Sequence, residues 1–367
     1  MARREENNEK LARIGFRRTV NRFVAAAILF ALAGLCAALC RSEGFVDRYY
    51  RPVSRFVMNI FAWVTGFVPF SVAEILVYLL VLTVAVSIVW LLKVVILGPD
   101  RLSRFMSLLS RGVLLLSAVL FIFYGFWAGN YNAPKLASTL GYDDSPKEPT
   151  RLYALNLWLA ERVNELAPLA HEGGEPSFRE LAKTVAAEFE RTTDRPEIAA
   201  KYVLASEPMS HTRITGMFTP YTGEANVNSN NTLTDLPFTM AHEMAHRYGI
   251  AREDEANFYA WYVLWDAEDP LLAYSAALMS LLYTQNSLTS ANVELAADVA
   301  SRYNDIVRED IRQYALHWSQ YEGKAAEVAD VVNDSYLKGQ GQSDGVKSYG
   351  RMTDLLLGWY EQEIATD

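Results

Sequence analysis

Within the stretch His242-Glu243-Met244-Ala245-His246, two imidazoles stand four residues apart with a carboxylate beside the first. On a helix, residues four apart lie about 40° from each other around the axis, so both rings leave the same face. Two neutral imidazoles on one face can share a single Zn2+ at about 2.0–2.1 Å. Zinc lowers the pKa of a bound water to about 7. Glu243, next to the first ring, is placed to take a proton from that water and pass it to a leaving amine. The predicted chemistry is hydrolysis of a peptide or related amide, with zinc as cofactor. The chain has five histidines. With so few, the pattern arises by accident in roughly one chain in a few hundred. His171, His211 and His317 have no partner at helical spacing, and are expected to be ordinary surface or core residues.

Zinc in a hydrolytic site takes a third protein ligand and keeps one position open. A third histidine six residues after His246 is excluded, because Arg252 stands there. Glu253-Asp254-Glu255 follows, in the first turn of a second predicted helix, where acids suit the helix dipole. Glu253 is the preferred third ligand and Glu255 the alternative. Asn257, four residues after Glu253, shares its face and is expected to hold a ligand imidazole from behind.

The metal helix has its own punctuation. Asp235 and Pro237 are good openers, and Gly249 is a natural stop. Just upstream, Tyr202–Asn228 has strand character, and Thr215–Asn228 is a candidate edge along which an extended peptide adds a strand. Glu224 and Asn226 in it are candidate substrate or oxyanion contacts. Tyr336 and Tyr349, in a hydroxyl- and glycine-rich tail, are further candidate oxyanion donors. Apolar spacing predicts helices over 151–168, 178–192, 253–284 and 291–325.

What precedes this region is different in kind. Three apolar runs, at about 23–40, 71–97 and 113–129, approach the roughly 20 residues that cross a bilayer. Between the first two lies VMNIFAWVTGFVPF, read as an interfacial or re-entrant helix outside the spans. Residues 1–112 carry 15 basic and 7 acidic residues, net +8, against −17 for the remainder. A basic, apolar front and an acidic rear describe a membrane anchor followed by a water-facing domain. The acidic rear argues against nucleic acid, which needs clustered Lys and Arg. Eleven basic residues flank the spans on one side, in the N-terminal tail and the loop after the second span. Five lie on the other. The positive-inside rule then predicts a cytoplasmic N-terminus and, after three crossings, an outer C-terminal domain. The two cysteines, Cys36 and Cys40, both sit in the first apolar run, so neither serves a metal in the rear domain.

Several segments carry a resemblance: FVPFSVAE before the second span, FWAGNYNAPKLA after the third, FTPYTGEANVN, LPFTMAHEMAHRYGIAREDEANF, and the tail NDSYLKGQGQSDGVKSYGRMTDLL. Over most of its length the chain resembles a family of bacterial three-span membrane proteins known only as a domain of unknown function. That resemblance implies architecture and no reaction. Separately, E-x-E-A-N paired with HExxH resembles gluzincin peptidases, which implies Glu253 as the third ligand. The linker from His246 to Glu253 is shorter than is usual there, which leaves Glu255 open.

The expected fold is mainly α: three transmembrane helices followed by a mostly helical, zincin-like domain with a small β element. The expected division is a basic tail over 1–22, a membrane domain over 23–129 and an extracytoplasmic domain over 130–367. The expected function is a zinc metallopeptidase on the outer face of a bacterial cytoplasmic membrane, with the lipid bilayer and a peptide or protein substrate as partners. The rivals are a zinc amide hydrolase acting on cell-wall peptides and a non-catalytic envelope scaffold with a structural zinc.

Overall fold

The computed structural model describes residues 2–97, 100–143, 145, 148–342 and 351–365. It is mainly α-helical and divides into two compact units. Unit 1 comprises residues 1–54 and 72–132. Its elements are α1 (Ala2–Leu39), α2 (Glu43–Phe45), a π-helical turn (Val46–Tyr50), the start of α3 (Arg51–Thr65), α4 (Val72–Leu97), α5 (Arg101–Phe126) and a 3-10 turn (Ala128–Asn132). Three helical stretches are long and apolar enough to cross a membrane: Arg13–Leu39, Val72–Val94 and Arg101–Asn132. Almost none of their apolar residues is buried within the protein. The third stretch starts earlier than its apolar run, because the helix continues through the polar residues Arg101–Arg111.

α1 packs along α5, and the small side chains of Ala26 and Ala33 are buried on α1. The segment after α5 is held by hydrogen bonds. The Tyr50 hydroxyl donates to the Tyr124 carbonyl at 3.1 Å and accepts from the Gly129 N–H at 3.2 Å. Ser54 donates to the Phe126 carbonyl at 2.6 Å and accepts from Asn130 Nδ2 at 2.9 Å. A Cβ on Gly129 would stand 2.6 Å from Cys40 Sγ, so the glycine of FWAGNY is a packing requirement.

Unit 2 comprises residues 55–71 and 133–367. The sequence pattern groups 55–71 with the membrane segments, whereas in the fold this segment packs as part of the rear domain. The unit contains most of α3, followed by α6 (Leu136–Leu140), α7 (Pro149–Glu172), α8 (Phe178–Thr193), β1 (Lys201–Tyr202), α9 (Ser206–Ser210), β2 (Gly216–Thr219), β3 (Glu224–Val227), α10 (Leu236–Arg247), α11 (Glu253–Leu264), α12 (Pro270–Ala291), α13 (Val293–Ser301), α14 (Asp305–Ser319), α15 (Lys324–Gly339) and α16 (Met352–Glu363). The small sheet has the order β1-β3-β2, with β1 parallel and β2 antiparallel to β3. Gly216 pairs with Val227 and Thr219 with Glu224.

The long helical patterns expected over 253–284 and 291–325 are broken where side chains cap new starts. Asp269 accepts from Leu271 N ahead of Pro270. Asn292 accepts from Glu294 N and Leu295 N, and Asn304 from Val307 N. Each satisfies donors that an uninterrupted helix would have paired with carbonyls. All twelve residues of α10 are buried. That helix packs against α8, α11, α12, β2 and β3, so every side chain on it meets protein. A helix in that position holds its side chains in one geometry.

Candidate metal centre

His242 and His246 lie on successive turns of α10, and Glu253 is the first residue of α11. Their three ligand atoms converge. His242 Nε2 and His246 Nε2 are 3.0 Å apart. Glu253 Oε2 lies 3.2 Å from the first and 3.5 Å from the second. Two ligand atoms held at about 2.1 Å from one ion at the tetrahedral angle stand about 3.4 Å apart, so the triangle has the size of one face of a zinc tetrahedron. Within the described residues, this is the one group of three or more His, Cys, Asp or Glu side chains that could hold a metal ion.

Tautomer chemistry points the same way. His246 Nδ1 is 2.8 Å from the Ile250 carbonyl. A carbonyl only accepts, so Nδ1 carries the proton and the neutral ring presents an Nε2 lone pair. That lone pair faces another ring nitrogen and a carboxylate oxygen, an arrangement that repels unless a proton or cation sits between them. The electrostatics favour a proton at that place. Burial opposes charging His246, but Glu253 outweighs it and pushes the imidazole up to about 9. Burial likewise opposes charging Glu253, and the His246 charge and both imidazole hydrogen bonds carry its carboxyl well below the usual range. A divalent cation displaces such protons when it binds.

The short connection between the helices is what brings Glu253 back. Gly249 has φ +88°, a left-handed conformation that side chains resist. The chain reverses there, with Gly249 N bonded to the His246 carbonyl and Ile250 N to the Ala245 carbonyl. The same reversal delivers the Ile250 carbonyl to the His246 ring. Arg252, where a third histidine was excluded, donates to the Ala133 carbonyl at 2.6 Å and to Glu255 at 2.9 Å.

Three consecutive acids then diverge, as residues about 100° apart on a helix must. Glu253 faces the imidazoles. Asp254 pairs with Arg351 at 3.3 Å. Glu255 accepts from the Leu136 N–H at 2.8 Å and pairs with Arg252. The geometry thus places Glu253, and not Glu255, with the imidazoles.

Glu243 occupies the neighbouring position on α10. Its carboxylate is packed beneath β2: a Cβ on Gly216 would stand 2.5 Å from Oε1, and the Phe218 N–H bonds the carboxylate. Burial raises its pKa, opposed by the two imidazoles and the Phe218 hydrogen bond and aided by Glu253. A carboxyl whose proton affinity is raised by burial is better suited to taking up and returning a proton than an exposed one.

The remaining expected residues sit elsewhere. Asn257 shares the α11 face, but its side chain meets the Tyr283 hydroxyl and its Nδ2 makes no hydrogen bond; no bond from it to an imidazole is present. Glu224 is buried in β3 and ion-paired with Lys201 at 2.6 Å. Asn226 donates to Thr219 Oγ1 at 3.1 Å within the sheet. Both serve the hairpin. Tyr336 is on α15, near Tyr221, and Tyr349 lies outside the described residues. One tyrosine that sequence reasoning missed is close to the ligand set. The Tyr283 pKa is raised by burial and by the charges of Asp235 and Glu253, and its hydroxyl is hydrogen-bonded to Asn257. It comes from α12, and no local spacing marks it.

The chain belongs to DUF3810, a family of proteins of unknown function, whose model matches residues 49–357. No curated protein and no solved structure matches the chain.

Proposed function

We propose that this protein is a membrane-anchored, zinc-dependent peptidase. His242, His246 and Glu253 hold the ion, and Glu243 is the general base and acid. The observation that carries the reading is the convergence of three lone pairs on one point, with a second carboxyl, that of Glu243, beside the imidazoles on α10. A zinc ion held there supplies Lewis acidity, polarising a carbonyl and acidifying a water. Glu243 takes the proton of the attacking water and returns it to the departing amine. The Ile250 carbonyl fixes the His246 ring in its ligating tautomer.

The sheet gives this chemistry a substrate shape. Among the described strands β2 pairs with β3, and its Phe218 N–H bonds the Glu243 carboxylate. An extended peptide can add alongside β2 through backbone hydrogen bonds, and Gly216 on that strand lies against Glu243. The three apolar helices anchor the chain in a bacterial cytoplasmic membrane, with the N-terminus inside and unit 2 outside, following the asymmetry of flanking basic residues.

The test is metal analysis and peptide hydrolysis on the full chain in detergent. The expectation is about one zinc per chain, with the metal retained and turnover lowered about 10²–10⁴-fold in Glu243→Gln. A metal-free wild type that stays inert on zinc addition overturns the proposal, as does a fully active Glu243→Gln.

A further inference from the structure

Helix α3 presents two opposed stripes. Phe56, Ile60 and Trp63 recur at helical spacing, Phe67 follows in the turn just after the helix, and the four are 67%, 41%, 62% and 77% exposed. Met58 and Ala62, on the other side, are 0% and 1% exposed. Large apolar side chains at that exposure on one continuous stripe are unusual for a water-facing surface.

The buried stripe is locked into the unit that carries the metal centre. The β2–β3 turn lies directly on it: a Cβ on Gly223 would stand 2.6 Å from Ala62 N. Thr65 donates to the Thr222 carbonyl at 3.2 Å. Lys201, the ion-pair partner of Glu224, also donates to the Thr65 carbonyl. At the other end Arg55 Nε donates to the Tyr248 carbonyl at 2.6 Å, with its guanidinium 4.1 Å over that ring. Tyr248 caps α10 two residues after His246. The helix is therefore bonded both to the hairpin that bears Gly216 and to the end of the helix that bears the imidazoles.

We infer that the exposed stripe of α3 is seated in the membrane interface, and that the metal centre acts on peptide segments lying at the bilayer surface. The occupant follows from chain connectivity. Phe67 is five residues from Val72, where an apolar helix long enough to cross a membrane begins. Five residues span at most about 18 Å, so the Phe67 end of the stripe cannot leave the bilayer surface by more than that. A strongly amphipathic helix with aromatic residues on its apolar side lies in the headgroup–acyl boundary. The hairpin bonded to it is then held near that boundary, along with Gly216 and the Glu243 carboxylate beneath it. Juxtamembrane segments of membrane proteins are the substrates within reach. This second half rests on the peptidase reading.

Two measurements separate the halves. In full chain carrying Cys36→Ser and Cys40→Ser, a nitroxide is attached at Ile60→Cys or Phe67→Cys in vesicles of phosphatidylethanolamine and phosphatidylglycerol. Collisions with oxygen should exceed those with a water-soluble nickel complex. Equal access to both, or spin–spin broadening from a second copy, overturns the seating. For the substrate, one peptide sequence is offered free and lipid-tethered. Wild type should prefer the tethered form by at least about tenfold. The double variant Trp63→Glu, Phe67→Glu should lose that preference while keeping zinc and turnover of the free peptide. Absence of preference in wild type overturns the substrate class. A wild type that cleaves neither peptide overturns the peptidase reading with it, while the nitroxide result still decides the seating.

Discussion

Gly216 and Glu243 approach so closely that a single added methyl group would stand 2.5 Å from the carboxylate oxygen and 2.7 Å from Cγ. Glu243 is buried and held by the Phe218 N–H, so it has little room to give way. Gly216→Ala should displace the carboxylate from its place beneath β2. A misplacement of about 1 Å can cost about 10²-fold in rate. The expected outcome is that loss in peptide hydrolysis with zinc content unchanged. Loss of zinc together with activity would show that the glycine serves the ligands instead.

Glu253 and Glu255 are two residues apart and have opposite fates. Glu253→Ala should lower zinc affinity by more than the roughly 10–100-fold that loss of an outer partner costs, because a ligand atom itself is removed. Glu255→Ala should keep the metal. Its carboxylate ties the Leu136 N–H and Arg252 together, so its loss should appear as about 1–3 kcal/mol of stability. Metal titration and denaturant unfolding of the two variants check both halves. Retained zinc in Glu253→Ala would remove that residue from the ligand set.

Much of this was legible in local sequence, and the reason is physical. The three apolar helices and the start and stop of α10 are set by residues adjacent in the chain: long apolar runs, Pro237 and Gly249. The convergence of His242 and His246 follows from helix geometry alone. Glu253 was within reach because only six residues separate it from His246. The misplaced expectations all depend on tertiary packing. Glu224 looked available for substrate, but its partner Lys201 is 23 residues away and becomes a neighbour only because β1 lies beside β3. Tyr283 comes within reach of the Glu253 charge through the packing of α12 against α11. VMNIFAWVTGFVPF was read as apolar and outside the spans, and its apolar spacing is visible. That its second face would be Met58 and Ala62 against Gly223 is not visible, since the glycine sits over 160 residues on.

Gly249 can be tested apart from the ligands. At φ +88° a side chain costs roughly 1–2 kcal/mol, and relaxation of that strain moves the Ile250 carbonyl away from His246 Nδ1. Gly249→Ala should therefore lose that stability and also bind zinc about 10–100-fold more weakly, as expected when a ligand imidazole loses its outer hydrogen bond. Competition against a chromophoric chelator reads the affinity. A variant that is less stable but binds zinc normally would show that the Ile250 contact does not orient the ring.

Asp235 gives a pH dependence with a definite sign. Its Oδ1 accepts from the Thr239 hydroxyl at 2.9 Å, and its buried Oδ2 has no hydrogen-bond partner. Burial raises the carboxyl from 3.8 to about 6, against the lowering effects of Thr239 and His242. The folded protein thus holds this proton more tightly than the unfolded chain. The resulting stability is fully present below pH 4 and is lost as pH rises to about 6. Above that, the buried charge is carried at a cost of about 3 kcal/mol. Asp235→Asn removes the charge and keeps the shape. In chelator-treated protein the variant should match wild type near pH 4 and be the more stable near pH 7.5, by up to about 3 kcal/mol less whatever the weaker Thr239 bond gives back. Thermal midpoints at the two pH values decide it. A difference of the same size at both would mean that Asp235 is not ionised in the folded protein, or that its Oδ2 finds a donor there.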